Sequence, residues 1–274
     1  MASDLQHAEM HEYYERGAEA DRLALTGAGQ LEFERTKEIV LRQLPPPPAT
    51  IADIGGGPGR YTLWLAGLGY RVIHRDLVPL HVDHVRAASD GPVESGLIDT
   101  RVADARDLDL ADASVAGVLL LGPLYHLARR ADRVQALREA RRVVQPGGPV
   151  LGAAISRWAA RLDGILRQRI YEKYTDAETL IAQVERTGVL PPLGPGSFCG
   201  YTHRPGQLRS EFASAGLAHA DLVCVEGAAY LLGDLDVRMA DERERQIVLE
   251  TSRAHERVPE LMGLGSHLLA TGHG

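Results

Sequence analysis

The sequence is poor in cysteine and has no long apolar run, and both features exclude certain classes of protein. Its 274 residues contain two cysteines, Cys199 and Cys224, which are too few for a disulfide framework and lack the paired spacing of a zinc site. We therefore expect a reduced, cytoplasmic chain without a bound metal. The longest nearly apolar stretch, 115–124, falls far short of the roughly 20 residues that cross a bilayer, and the polar residues 1–17 do not resemble a signal peptide. The sequence thus predicts no membrane partner.

Lysine and aromatic residues are also scarce. Lys37 and Lys173 are the two lysines among 30 basic residues, which face 37 acidic residues and leave a net charge of -7 at pH 7. Binding of nucleic acid needs clustered positive charge, so we expect no nucleic-acid partner.

Aromatic residues make up 5% of the chain, and a place where they gather therefore points to an apolar pocket.

Prolines 45–48 divide the chain into two kinds of sequence. They favour an extended spacer after a helical N-terminal segment, and we define residues 1–48 as that segment with its spacer. From residue 49 to 156, short apolar runs alternate with helical stretches, which predicts an α/β fold around a parallel sheet. Predicted strands lie at 50–54, 71–74, 98–103, 115–121 and 150–155.

The regular alternation stops after the fifth predicted strand. Residues 157–204 are predicted to form a helical cap. Residues 205–274 return to the core through a helix that opens at Pro205 and strands near 220–225 and 266–271, with a helical insertion between these strands. We expect segments 1–48 and 157–204 to cover a ligand bound at the carboxyl edge of the sheet, because both enter at that edge.

A glycine-rich turn follows the first predicted strand. Residues 53–59 read Asp-Ile-Gly-Gly-Gly-Pro-Gly, so Gly55, Gly57 and Gly59 follow Asp53 with the spacing G-x-G-x-G. Such glycines let a ligand press against the backbone. A nicotinamide dinucleotide fingerprint would require glycine where Arg60 stands, and this disfavours a nicotinamide oxidoreductase.

The turn resembles the first motif of the class I S-adenosylmethionine-dependent methyltransferases, an acidic residue followed by three alternating glycines. The later motifs of that family are also matched, in the same order along the chain. Asp76 ends strand two, Asp104 and Ala105 follow strand three, and the run Leu-Gly-Pro-Leu-Tyr-His-Leu at 121–127 follows strand four. The turn Val-Val-Gln-Pro-Gly-Gly at 143–148 resembles the family's usual entry to strand five. Over residues 50–155 the resemblance implies a Rossmann-like, doubly wound, seven-stranded and mostly parallel sheet.

The resemblance also implies the cofactor, S-adenosyl-L-methionine, and its product S-adenosyl-L-homocysteine. In that family the acidic residue after strand two accepts hydrogen bonds from the ribose hydroxyls, which assigns this role to Asp76. Asp104 and the backbone beside it would face the adenine. The residues expected to bind the cofactor are Asp53, Gly55, Gly57, Gly59, Asp76, Leu77, Asp104, Ala105, Leu121 and Tyr14.

The run at 121–127, with Leu-Glu-Phe-Glu-Arg at 31–35, is similar to a bacterial branch of small-molecule methyltransferases, many of which act in natural-product pathways. The chain lacks the Asn/Asp-Pro-Pro-Tyr run of nucleic-acid amino-methyltransferases. The resemblance therefore implies a small aromatic or apolar acceptor, methylated on N, C or O. A non-methylating protein that binds the cofactor or its product on the same fold is the alternative. The oligomeric state is open, with a homodimer as one alternative.

His126 is the expected catalytic residue. It follows strand four, and its unperturbed pKa near 6.5 suits proton transfer at neutral pH. The alternative is that it lines the pocket or bonds to backbone. Tyr13 and Tyr14 would close over the cofactor or acceptor, or pack against the core. For Trp158, Tyr171 and Tyr201 the alternative is ordinary helix packing. For His203 it is helix capping or exposure at the surface. The residues expected to bind the acceptor are Tyr13, Tyr125, His126, Trp158, Tyr171, Tyr201 and His203.

Overall fold

The computed structural model of the chain describes Tyr14 and residues 22–89, 98–194, 198–217 and 219–274, and elements are numbered within these residues. The strands are β1 (Thr50–Ile54), β2 (Arg71–Asp76), β3 (Ile98–Val102), β4 (Gly117–Leu120), β5 (Pro149–Ser156), β6 (Val189–Leu190), β7 (Gly200–His203), β8 (Asp221–Cys224) and β9 (His267–His273). The α-helices are α1 (Arg22–Leu25), α2 (Gly27–Leu41), α3 (Arg60–Gly67), α4 (Pro79–Ser89), α5 (Pro123–His126), α6 (Arg130–Val143), α7 (Ala159–Arg161), α8 (Ala177–Thr187), α9 (Pro205–Ser214), α10 (Leu235–Ala240) and α11 (Glu242–His255). Leu162–Arg167 forms a π-helical turn, and Ile170–Glu172, Gly227–Leu231 and Pro259–Leu261 form 3₁₀ turns.

Seven strands form the main sheet in the order β3-β2-β1-β4-β5-β9-β8. The pairs from β3 to β5 are all parallel, whereas β9 runs antiparallel to both β5 and β8. The predicted seven-stranded, mostly parallel sheet is confirmed. The structure adds a short pair that the sequence did not predict: β7 joins the end of β5 through Ile155 and Ser156, and β6 pairs with β7.

Apolar side chains cover the sheet on both faces. On one face, α6 packs its stripe of Val134, Leu137 and Ala140 against the strands. On the other face, α2 and α3 contribute Ile39, Val40 and Leu65, among others. β4 is buried along its whole length, as expected for a continuous apolar run in a strand with both faces covered.

Helix α2 belongs to this core, although the sequence interpretation sets residues 1–48 apart as a helical N-terminal segment with its spacer. Thr26 caps it by accepting a hydrogen bond from the Gly29 N–H at 3.1 Å, as N-terminal caps commonly do. Leu31, on the same helix, packs into an apolar cluster with Tyr230 and α10 and α11. The prolines 45–48 then lead directly into β1. Residues 1–21 of the predicted N-terminal segment, apart from Tyr14, lie outside the described residues.

Residues 157–194 form a layer at the carboxyl edge of the sheet, next to the 3₁₀ turn at Gly227–Leu231. They are mainly helical, as expected for the cap, and α8 presents Ile181 and Val184 inward. Helix α9 begins at Pro205 as the sequence predicts. Of the helices in the described part of the chain, none combines the length and apolar character needed to cross a bilayer.

Candidate active site

A cleft opens at the carboxyl ends of β1, β2 and β4, and we call it the glycine-turn cleft. This is the edge at which open parallel sheets bind ligands. The sequence-predicted residues that line it are Tyr14, Asp53, Gly55, Gly57, Asp76, Leu77, Asp104, Ala105, Leu121, Tyr125 and His126. Gly59 does not line it. At φ +88° Gly59 precedes α3, and a Cβ there would collide with Val85, so its role is local packing.

Asp53 lies fully buried at the end of β1. Its Oδ2 accepts a hydrogen bond from the Thr62 hydroxyl at 2.7 Å, while its Oδ1 has no hydrogen-bond partner among the described residues. Burial raises the pKa of Asp53, and the nearby His74 and Thr62 oppose that rise. An unpartnered buried carboxylate oxygen is costly without a ligand to pair with it, so this atom points to a bound donor.

Asp76 ends β2 and is held by three donors. Its Oδ2 accepts from the Gly57 N–H at 2.8 Å, and its Oδ1 accepts from the Val78 N–H at 2.9 Å and contacts His81 Nδ1 at 3.0 Å. Burial alone would raise the pKa of Asp76, but these hydrogen bonds and the charge of His81 lower it overall. The side chain is therefore an ionised acceptor fixed against the glycine turn.

Asp104 follows β3 and forms an ion pair with Arg106. The Arg106 Nη2 lies 2.6 Å from Asp104 Oδ2, and the backbone N–H of Arg106 donates to Oδ1 at 2.9 Å. The Arg106 pair orients the carboxylate at the mouth of the cleft, beside Ala105.

His126 ends α5 and contacts Tyr14, whose hydroxyl lies 2.6 Å from His126 Nε2. The Nδ1 atom is buried, and this burial lowers the pKa of His126 to about 4, against the opposing charge of Asp76. The imidazole is therefore neutral at neutral pH. Tyr14 also meets the His81 ring edge to face at 5.1 Å, which places the tyrosine over the cleft between two histidines.

A second cavity lies under residues 159–193, and we call it the cap cavity. Its wall is mostly apolar, and includes Ile155, Leu180, Ile181, Val184 and Phe198. Its charged wall residues include Glu32, Asp163, Arg167, Glu226 and His267. Glu32 and His267 also line the glycine-turn cleft, so the two cavities meet at these side chains.

The meeting point contains a cluster that sequence reasoning missed. Glu226 Oε1 lies 2.5 Å from His267 Nδ1, and Glu32 Oε2 lies 3.9 Å from the same nitrogen. One side-chain nitrogen or oxygen atom from each of the three residues lies within 4.8 Å of the other two. The strand prediction near 266–271 placed His267 at a strand start, but nothing in the spacing connects it with Glu32.

Two expected acceptor contacts are solvent-facing. Trp158 is 39% exposed, with Arg204 over its ring, and Tyr171 is 47% exposed beside Arg169. Neither lines a cavity. Tyr13 lies outside the described residues.

Tyr201 and His203 are buried in a polar network between β7, α6 and α9, away from both cavities. Arg133 donates to both carboxylate oxygens of Glu211 and stacks 3.7 Å above the Tyr201 ring. His203 Nε2 lies 3.1 Å from Glu211 Oε2, and burial lowers the pKa of His203 although Glu211 opposes this. These side chains connect elements of the fold.

Comparison with known proteins finds a methyltransferase family over residues that form much of the glycine-turn cleft. Residues 52–151 match the family described as "Methyltransferase domain". The chain is 34% identical over 142 residues to the ubiquinone/menaquinone biosynthesis C-methyltransferase UbiE of Acidiphilium cryptum, which covers 51% of this chain and 53% of that protein. It is 30% identical over 113 residues to the O-methyltransferase cnsE of Penicillium expansum, over 41% of this chain and 40% of the other. The chain thus spans about half or less of these curated relatives.

A solved structure extends the likeness over the whole fold. The 1,6-didemethyltoxoflavin-N1-methyltransferase of Burkholderia thailandensis, with bound 1,6-didemethyltoxoflavin and S-adenosylhomocysteine, aligns with a TM-score of 0.55. The alignment covers 99% of this chain and 88% of that one at 14% identity. At this identity the likeness concerns the fold alone.

Proposed function

We propose that this chain is a class I S-adenosylmethionine-dependent methyltransferase that transfers a methyl group from S-adenosyl-L-methionine to a small molecule. The match of residues 52–151 to a methyltransferase domain supports this proposal. The observation that carries the proposal is the adjacency of the two cavities. The family's cofactor stations line the glycine-turn cleft, and a roomy, mostly apolar cavity adjoins it at Glu32 and His267.

The residues of the cleft fit this cofactor. The buried Oδ1 of Asp53 lacks a partner among the described residues, and a Cβ built at Gly57 would meet nothing within 4 Å, so both a donor and close contact are accommodated. Asp76 presents an ionised carboxylate for ribose hydroxyls, and Asp104 and Ala105 stand where the adenine is expected. When bound, the cofactor supplies a methyl group on a sulfonium, which is already electrophilic. The protein's task is then alignment, an effect that can reach about 7–11 kcal/mol.

The cap cavity suits an acceptor with an apolar body and a polar nucleophile. Apolar side chains of α8 and β5 would hold the body, while the nucleophile would lie at the Glu32 and His267 wall, next to the cleft. Burial raises the pKa of Asp163 in this cavity, and Arg167 opposes the rise. The relatives are named as C- and O-methyltransferases, which supports a small-molecule acceptor. We propose a natural-product intermediate that is methylated on N, C or O.

Two segments would cover the acceptor. Leu23 and Thr36 of α1 and α2 line the glycine-turn cleft, and Thr26 and Gly29 line the cap cavity. Residues 159–193 form the opposite wall of the cap cavity. Closure of such segments excludes water from the transfer.

Of the two roles that the sequence left to His126, the geometry supports shaping the pocket. Its Nε2 contacts the Tyr14 hydroxyl, and a pKa of about 4 makes it a weak base at neutral pH. We propose that His126 holds Tyr14 over the cofactor.

Calorimetry with S-adenosyl-L-methionine, followed by incubation of the labelled cofactor with a panel of amines, phenols and indoles, tests the proposal. We expect binding and transfer of label to at least one acceptor. Binding without transfer to any acceptor would favour the non-methylating alternative. Absence of binding by the folded protein would overturn both.

A further inference from the structure

Two ionisable side chains lie where the two cavities meet. Within the described residues, Glu32 and His267 are the side chains that line both the glycine-turn cleft and the cap cavity. His267 is the first residue of β9, opposite Ile155 at the end of β5, and Ile155 lines the cap cavity. The imidazole therefore lies where a cofactor in one cavity would meet an acceptor in the other.

Glu226 fixes the orientation of the His267 ring through its Nδ1 atom. Antiparallel pairing sets Cys224 opposite Leu268, so the chain just after β8 reaches the start of β9. The Glu226 side chain is 2% exposed. Its Oε2 accepts from the backbone N–H of His267 at 3.0 Å, and its Oε1 lies 2.5 Å from Nδ1.

The tautomer follows from this contact. A carboxylate can only accept hydrogen bonds, so Nδ1 carries the ring hydrogen, and the lone pair of the neutral imidazole is on Nε2. A histidine fixed in this way by a buried carboxylate is oriented to take up a proton, and the carboxylate stabilises the imidazolium that forms. Among the described residues, the other charged groups that face His267 include Glu32 from α2 and Asp163 from the cap. Both are acidic and also favour the protonated ring.

We propose, on the basis of the proposed methyl transfer, that His267 is the general base for an acceptor that carries a hydroxyl or amine N–H, and that Glu226 is its positioning residue. The acceptor's lone pair forms the bond to the methyl carbon as the carbon–sulfur bond breaks. The electron pair of the broken bond stays on sulfur, so the sulfonium becomes a neutral thioether. The acceptor's proton passes to His267 Nε2 and then to solvent. His126 has no part in this step, since it lines the glycine-turn cleft and is absent from the wall of the cap cavity.

The test compares His267→Gln and Glu226→Gln with His273→Gln, a histidine at the exposed far end of the same strand that contacts the Gly147 carbonyl. Turnover is measured with the labelled cofactor and whichever amine, phenol or indole the wild type methylates. We expect His267→Gln to lose about 10²–10⁴-fold in kcat, as for loss of a general base, with the calorimetric Kd for S-adenosyl-L-methionine unchanged. Its pH profile should lose the limb assigned to the base. Glu226→Gln should lose less, and His273→Gln should match the wild type.

A second readout needs no acceptor. Nitrogen-15 NMR of the histidine side chains in the wild-type chain should show the Nδ1–H tautomer for His267, and Glu226→Gln should weaken that preference, because glutamine has one acceptor oxygen where Glu226 uses two. An Nε2–H tautomer would overturn the inference. So would wild-type kcat in a folded His267→Gln variant, or turnover that EDTA abolishes and Mg²⁺ restores, because the cluster would then be a metal site. A wild type that binds cofactor and methylates no acceptor would instead overturn the proposed function.

Discussion

The glycine-turn cleft is lined largely by short stretches that directly follow β1, β2, β3 and β4, whereas the cap cavity draws on segments from most of the chain. In the first, most contacts come from residues at or just after the end of a strand, with exceptions such as Leu23, Glu32 and His267. In the second, α2, the end of β5, residues 159–193, Glu226 and His267 come together although they are far apart in sequence. Two cavities that share a wall thus differ in how directly the sequence encodes them.

The difference follows from sheet geometry. The carboxyl ends of parallel strands lie at one edge, so a motif that follows such a strand is brought to the site by the local pattern alone. The wall of the cap cavity depends instead on how inserted segments fold back over that edge. Substitutions in the two regions, and in the network behind them, can sharpen this comparison.

Breaking the polar network between α6 and α9 should have the largest effect. Arg133 and Glu211 are each 2% exposed in their side chains, and removal of one partner leaves a buried charge uncompensated. We expect Arg133→Met to lower the free energy of unfolding by about 3–5 kcal/mol, measured by urea denaturation. Arg138→Met, at an exposed position of the same helix, is the control. A loss below about 1 kcal/mol, the scale of an exposed pair, would contradict the structural role given to this network and to His203.

Asp76→Ala should weaken binding of S-adenosyl-L-methionine by about 1.5–3 kcal/mol, the scale of hydrogen bonds to a charged group. This corresponds to about 10- to 150-fold in Kd, measured by calorimetry. Asp83→Ala provides the control, because that side chain is 67% exposed and pairs with Arg86 on the same helix. Unchanged affinity in a folded Asp76→Ala variant would mean that the ribose is held elsewhere.

The pH dependence of stability tests His126. Its pKa is about 4 in the folded chain, against an ordinary value of 6.5, so between these values the unfolded chain binds a proton that the folded chain does not. Stability from this group is complete above pH 6.5 and is lost as pH falls toward 4. Relative to His126→Gln, the wild type should lose about 2 kcal/mol between pH 7.5 and pH 5. Parallel urea curves at the two pH values measure it, and an equal pH dependence in both proteins would show that His126 titrates normally.

The smallest effect should come from the exposed aromatic residues of the cap. Tyr171→Ala should leave the acceptor KM within about twofold of wild type, as for a surface substitution worth under about 0.5 kcal/mol. Ile181→Val, which shortens a buried side chain lining the cap cavity, should change KM more. A larger KM change for Tyr171→Ala than for Ile181→Val would place the acceptor outside the cap cavity.

Much of the cleft could be predicted before the fold was seen. The interpretation of the alternating glycines and of Asp76 and Asp104 depended on motif order, and the structure places the aspartates, Gly55 and Gly57 on one cleft. Gly59 is different, because its left-handed φ serves the entry to α3 beside Val85. Motif order cannot distinguish a glycine that touches a ligand from one that shapes the turn.

The aromatic residues of the cap were less informative. Tyr171 and Tyr201 share a segment predicted to be helical, yet one faces solvent and the other is buried under Arg133. Periodicity assigns a residue to a helix face, but what covers that face is decided by distant elements. The short β6 and β7 pair, which carries Tyr201, was missed because two- and four-residue strands show too few alternations to detect.

The sequence by itself determined the alternation of strands and helices, the glycine turn and the order of the cofactor stations, because each depends on spacing within a few tens of residues. Only the tertiary structure decided that His267 meets Glu226 and Glu32. The antiparallel insertion of β9 between β5 and β8 brings the start of the last strand to the carboxyl edge of the sheet, beside a helix from the beginning of the chain. Contacts between such distant segments leave no periodic trace in the sequence, since they arise from packing rather than from local conformation.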